Sequence, residues 1–139
     1  MSPDQQSPTE FVEGYGRTWE SWDAEGNLEL FSDDVVYVVH ATEETVVGRD
    51  ALRRYIAKEE AAMGKVSVRM GEPVVGGDHV AAEFWVTLTT DAGEKGTIAG
   101  CFIAELDPAD GLCTHFREYW FEVEGHIQAY PGWGGRHRP

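Results

Sequence analysis

From residue 66 onward the chain alternates apolar and other side chains with a period of two in four runs, 66–75, 80–89, 97–106 and 112–123. Between them stand Gly76-Gly77-Asp78, Asp91-Ala92-Gly93 and a Pro108-to-Gly111 segment, each rich in residues that close tight turns. Long strands joined by such short turns pair with their sequence neighbours, so this half of the chain predicts an antiparallel meander. In Val80-Ala81-Ala82-Glu83-Phe84-Trp85-Val86-Thr87-Leu88 both faces carry apolar residues, which predicts cover on each side: helices on one, a second subunit on the other.

The first half reads differently. Ser7-Pro8-Thr9-Glu10 has a capping Ser, a Pro suited to the first helical position and a Glu that completes a capping box. Phe11, Tyr15, Trp19 and Trp22 follow at spacings of four, four and three and share one face of the helix that starts there. Asp23 caps a second short helix carrying Leu28 and Phe31, and Ser32-Asp33-Asp34 breaks it before a β-branched strand over 35–39. Residues 41–46 read as a polar loop. Gly48 then opens a third helix with Leu52, Tyr55, Ile56, Glu59 and Met63 on one side, and Gly64 ends it. Helices first and a meander after is an α+β order, not the alternation of a parallel sheet. Residues 1–7 read as a disordered tail, 8–129 as one domain, and 130–139 as an irregular C-terminal tail.

With 11 Lys and Arg against 25 Asp and Glu, the net charge of −14 repels nucleic-acid backbones and anionic membrane surfaces. No stretch of 18 or more apolar residues is present, and the polar residues 1–7 lack the apolar core of a signal peptide, so a cytoplasmic location is expected. A hairpin closing near 108–111 sets Cys113 opposite about residue 105 and away from Cys101, which predicts two free thiols.

Three segments together resemble the SnoaL-like branch of the nuclear transport factor 2-like superfamily. They are Trp22-Asp23 leading to Leu30-Phe31-Ser32-Asp33-Asp34-Val35-Val36-Tyr37, then Gly48-Arg49-Asp50-Ala51-Leu52, then Phe116-Arg117-Glu118-Tyr119-Trp120. The resemblance runs over 8–123 and implies a cone-shaped α+β barrel, a curved antiparallel sheet packed on N-terminal helices. That fold hosts isomerases, cyclases, dehydratases, epoxide hydrolases and non-catalytic scaffolds. In limonene epoxide hydrolase-like members an inward Asp of the last strand acts on the epoxide or water, and Glu118 stands at the matching place. The water-holding Tyr falls on Tyr37, the Asn two residues later on Val39, and a central Arg and Asp on Ala81 and Glu83. Ketosteroid isomerase-like members carry their Asp base where this chain has Val39. Scytalone dehydratase-like relatives use cavity histidines, for which His40 is the nearest candidate.

The residues themselves point the same way. Glu118 alternates with Phe116 and Trp120, so an inward set of rings carries the carboxylate inward too. Desolvation there would bring its pKa toward neutrality, as a general acid or base needs; alternatively it pairs with an Arg such as Arg53, Arg54 or Arg69. Glu83, between Ala81 and Trp85, is either a second carboxylate of the cavity or a solvated glutamate. Tyr15, Tyr37 and Tyr55 offer rings with polar tips to orient a ligand oxygen, or are core tyrosines. Trp19, Trp22, Trp85, Phe116 and Trp120 are candidate apolar walls. His79, His115 and His126 lack metal-ligand spacing, and no phosphate-binding glycine loop follows a strand, so neither metal nor cofactor is expected. Two readings remain: a cofactor-independent acid/base enzyme on a small hydrophobic substrate, with Glu118, Glu83 and Tyr37 acting on it, or a non-catalytic ligand-binding or dimeric interaction module. A homodimer through the outer sheet face is expected in either.

Overall fold

The computed structural model describes residues 5–135. Helix α1 (Pro8–Glu20) begins with the reciprocal cap that its sequence calls for: Ser7 Oγ accepts the Glu10 N–H at 3.1 Å and Glu10 Oε1 accepts the Ser7 N–H at 3.0 Å. Its apolar face is buried, with Phe11 edge-on to Phe31 at 5.6 Å and Phe102 at 5.7 Å. The Gln5 side chain donates to Pro108 O at 2.8 Å and the Gln6 N–H to Asp110 O at 3.1 Å, so residues 5–7 of the expected tail are fastened to a turn of the sheet; 1–4 lie outside the described residues.

Helix α2 (Ala24–Leu28) is capped by Asp23, as expected, but is shorter than the sequence suggested. Phe31 opens strand β1 (Phe31–Val39), and Asp33 and Asp34 sit within it at a register shift in place of a helix break. The cause is long-range, since β1 runs parallel to the last strand, with Phe31 level with Cys113 and Val39 level with Glu118. The 41–46 segment also differs from expectation. After a turn in which Glu43 takes φ +57°, strand β2 (Glu44–Val47) pairs back on β1. Helix α3 (Arg49–Met63) follows and ends at Gly64, whose φ of +70° a side chain would resist.

The meander is present, with one split. The 66–75 run divides into β3 (Lys65–Met70) and β4 (Val74–Gly76), because Glu72 N–H bonds to Gly134 O at 2.8 Å where the C-terminal segment crosses. Strands β5 (His79–Thr89), β6 (Lys95–Leu106) and β7 (Cys113–Glu124) complete it. The sheet order is β2-β1-β7-β6-β5-β3, with β4 beside β5; it is curved, mixed rather than wholly antiparallel, and not closed on itself. The helices fill its concave side, against Val80, Ala82, Phe84, Val86 and Leu88 of β5 and their even-numbered neighbours Ile98, Phe102 and Ala104 of β6.

The outer face of β5 is covered around Trp85 by the segment near Ile127 and Trp133. Trp85 Nε1–H donates to Ile127 O at 2.8 Å and its ring meets Trp133, itself 3% exposed, at 6.0 Å. The tail from 130 is thus anchored at Trp133 and Gly134, while Tyr130, Pro131 and Gly135 are exposed, and 136–139 lie outside the described residues. Cys101 and Cys113 are free thiols, with Cys113 opposite Leu106. Among the described residues no helix is long and apolar enough to cross a membrane.

One glycine shapes the cavity described below. Gly100 on β6 lies between Phe84 and Trp120, and a Cβ there would fall 2.6 Å from Trp120 Cβ and against the Tyr119 carbonyl. Gly100→Ala should therefore cost about 1–3 kcal/mol in urea unfolding and shift the fluorescence of Trp120; a neutral change would mean that the strand yields without moving the indole.

Candidate functional site

Glu118 projects from β7 into the hollow between sheet and helices, 4% exposed. Parity puts it there, because Phe116 and Trp120 bracket it on the inward side. Its oxygens are met by ring donors from four elements. Tyr15 Oη of α1 donates to Oε2 at 3.0 Å and Tyr37 Oη of β1 to the same oxygen at 3.2 Å. Trp120 Nε1 of β7 donates to Oε1 at 3.3 Å, and Tyr55 Oη of α3 stands 3.5 Å from it. The Tyr15 and Tyr37 hydroxyls lie 3.4 Å apart.

None of these donors carries a charge. The arginines considered as partners are engaged elsewhere or outside: Arg53 bonds Glu25 and Asp50, Arg69 lies over the Trp133 ring at 4.9 Å, and Arg54 is exposed. Burial therefore dominates and raises the Glu118 pKa to about 7. The bonds from Tyr15, Tyr37 and Trp120 pull against that rise, and the negative charge of Glu59 adds to it. Burial first, and then the Glu118 charge, push all three tyrosine hydroxyls up, which keeps them protonated donors.

Around this carboxylate lies a small, partly open cavity of about 50 Å³. Trp19, Trp22, Trp120, Ile56, Met63 and Ile98 form its apolar walls. Trp22 takes φ +52°, a conformation that bulky residues resist, and its indole N–H is anchored on Gly64 O at 2.8 Å. Thr18 and Asn27 supply a polar corner, where Asn27 Nδ2 donates to Thr18 Oγ1 at 3.0 Å. Asp23 and Glu59 complete the lining, and burial raises the Glu59 pKa.

Of the residues singled out from sequence, the fold brings Tyr15, Trp19, Trp22, Tyr37, Tyr55, Glu118 and Trp120 together at this cavity. Phe116 points the same way but is sealed beneath it, stacked on Tyr37 at 4.5 Å. Three others stand elsewhere. Glu83 is exposed on the outer face of β5, because Phe84 and its even neighbours take the inner one. Trp85 shares the Glu83 parity and is held by the C-terminal segment. His40 is exposed and stacks flat on Tyr119 at 4.4 Å, on the far side of the sheet.

Glu59 was missed as a site residue, although its place four residues after Tyr55 and four before Met63 on one helix face was a usable signal. Asp23 was legible only as a cap. Thr18 and Asn27 left no local trace, since only the packing of α1 on α2 brings them together.

The family model of the SnoaL-like domain matches residues 12–116. No curated protein matches the sequence. Solved structures do. Rv0760c of Mycobacterium tuberculosis is 25% identical with a TM-score of 0.73, over 87% of this chain and 98% of that one. A ketosteroid isomerase-like protein of Catenulispora acidiphila, solved in complex with trimethylamine, is 22% identical with a TM-score of 0.71, over 79% of this chain and 84% of the other. SalBIII, an epoxide hydrolase/cyclase-like enzyme of pyran ring formation in salinomycin, is 20% identical with a TM-score of 0.73, over 85% of this chain and 95% of its own.

A carboxyl group whose pKa stands at about 7 in the fold, against its ordinary 4.5, holds its proton more tightly folded than unfolded. Stability from this group is therefore greatest in acid and falls as pH rises through the window from 4.5 to about 7, by about 3 kcal/mol at 1.36 kcal/mol per unit. Glu118→Gln lacks that loss. The urea stability of wild type minus that of Glu118→Gln should fall by about 3 kcal/mol across the window; a flat difference would show that the carboxylate is solvated.

Proposed function

The chain belongs to the SnoaL-like domain family, and from that premise we propose that its cavity takes a small hydrophobic molecule and that Glu118 exchanges a proton with it. The observation that carries this reading is a carboxyl group 4% exposed, lining a cavity, with neutral donors and no cation among the described residues. A group with a pKa of about 7 is divided between its two forms near neutral pH, so neither accepting nor giving a proton is costly. As the carboxylate it takes a proton from the substrate; as the acid it returns that proton to another atom, and it ends as it began. Tyr37 and Tyr55, held as O–H, suit the substrate oxygen on which negative charge develops. The apolar walls keep water from competing. This supports a cofactor-independent isomerase, cyclase, dehydratase or hydrolase. Structures in this fold with trimethylamine, or with estradiol-17beta-hemisuccinate in Rv0760c, support the small-molecule part.

A second reading, capture without chemistry, is favoured by Val39, which is fully buried beside Glu118 and offers no polar group, and by the absence of Glu83 from the cavity. Mass spectrometry of the ligand that copurifies with the chain, followed by incubation and product analysis, separates the two. With the substrate in hand, Glu118→Gln should retain binding and lose turnover by about 10²- to 10⁴-fold; unchanged turnover would remove Glu118 from the chemistry, and binding without product would establish capture alone.

A homodimer belongs to the same proposal. Tyr119, Phe121 and Val123 of β7 are 40%, 63% and 40% exposed on the outer sheet face. On a chain of charge −14, that uncharged stripe is where two copies meet with least repulsion. Light scattering should give a dimer, and Phe121→Glu a monomer; a monomeric wild type would refute the pairing.

A further inference from the structure

We infer that the ligand of this cavity carries a positive charge: a protonated or quaternary amine whose head sits among the rings of Trp19, Trp22 and Trp120, with Glu118 as its buried counter-ion. The inference rests on the cavity being a ligand site and adds the chemical class of its occupant. Its first support is the missing charge. A buried carboxylate is costly unless a cation or a metal compensates it, and among the described residues every donor to Glu118 is a neutral O–H or N–H. The nearby basic groups are committed. Arg49 pairs with Asp33, Arg53 with Glu25 and Asp50, and Lys58 with Glu44. Lys58 also lies over the Tyr55 ring, 5.4 Å from its centre, but is exposed.

The second support is the sign of the wall. Among the described residues lining the cavity the charged side chains are Asp23, Glu59 and Glu118, with no Lys, Arg or His. An anionic ligand would meet three like charges. A neutral hydrocarbon would be served by the rings, yet would bring no counter-charge and would meet Glu118 as the protonated acid. The third support is the rings themselves. Six indole and phenol rings line the space, and their negative faces attract an alkylammonium group by about 0.5–2 kcal/mol or more when water is excluded.

A bound cation favours the charged form of Glu118, so binding must displace a proton wherever the free protein holds one. The groups that face Glu118 are Tyr15 from α1, Tyr37 from β1, and Tyr55 and Glu59 from α3; Asp23, the cap of α2, also lines the cavity. The tyrosines stay protonated, and Glu59, its pKa raised by burial, works in the same direction as Glu118. Affinity for a cation should thus rise with pH through about 7, whereas affinity for an uncharged ligand should not.

Choline and its uncharged carbon isostere, 3,3-dimethylbutan-1-ol, have the same shape and differ in charge, so titrating each into the full chain by tryptophan fluorescence and NMR tests the point. At pH 8 choline should bind about tenfold tighter or better, and at pH 5.5 the preference should shrink. Glu118→Gln should remove most of the preference while leaving the isostere's affinity in place, and Glu59→Gln should reduce it partly in a chain with an intact core. Equal affinities, or a preference for the isostere, would overturn the charge inference and leave the cavity as a ligand site. Binding of neither would overturn both.

Discussion

One buried carboxylate organises this molecule. Glu118 is almost wholly removed from water, and the donors that make its burial tolerable are three tyrosines and an indole from α1, β1, α3 and β7. Leaving an acceptor of that strength unmet costs more than a made bond returns, so the elements are constrained jointly. A helix shifted by one turn, or β1 moved by one residue, would carry a hydroxyl out of reach. The fold does not merely enclose a cavity; it converges on the floor of one.

The parallel pairing of β1 with β7 makes that convergence possible. It sets Tyr37 beside Phe116, whose ring it stacks on at 4.5 Å, and so aims its hydroxyl at the carboxylate one pleat further on. Phe116, Phe102 and Phe11 form the bed beneath, with ring pairs at 4.9 Å and 5.7 Å fixing the planes of the tyrosines above. Rigid rings with hydroxyl tips lose little rotamer freedom on ordering, which suits a site where four donors meet two oxygens.

The inward register of β7 was legible because Phe116, Glu118 and Trp120 alternate plainly, and the α1 face because Phe11, Tyr15 and Trp19 recur at helical spacing. The same reasoning misplaced Glu83 and Trp85. Strand β5 is apolar on both faces, so parity alone could not choose between them; the second cover is the segment around Ile127 and Trp133, whose irregular sequence gives no sign of docking. The β1–β7 pair joins residues some eighty positions apart and leaves no local signature. Strand β2 was hidden for a related reason, as its four residues owe their extended form to β1. The family resemblance placed Glu118 in the cavity but said nothing of its missing counter-charge, which depends on where each arginine comes to rest.

That absence distinguishes the site from an ordinary buried ion pair. An arginine at hydrogen-bonding distance would hold the carboxyl about 1–3 units below its usual range, fixing it as an anion and occupying the space in front of it. Hydroxyls and an indole N–H pull more weakly. They offset part of the burial cost, and the pKa comes to rest at about 7, where the two protonation states are nearly equal in free energy. A group so balanced responds strongly to whatever enters the cavity: a positive charge turns it into a base, and a neutral apolar guest that excludes water turns it into an acid. The neutral donor set therefore keeps the choice of proton state with the ligand, and the protein contributes the balance point.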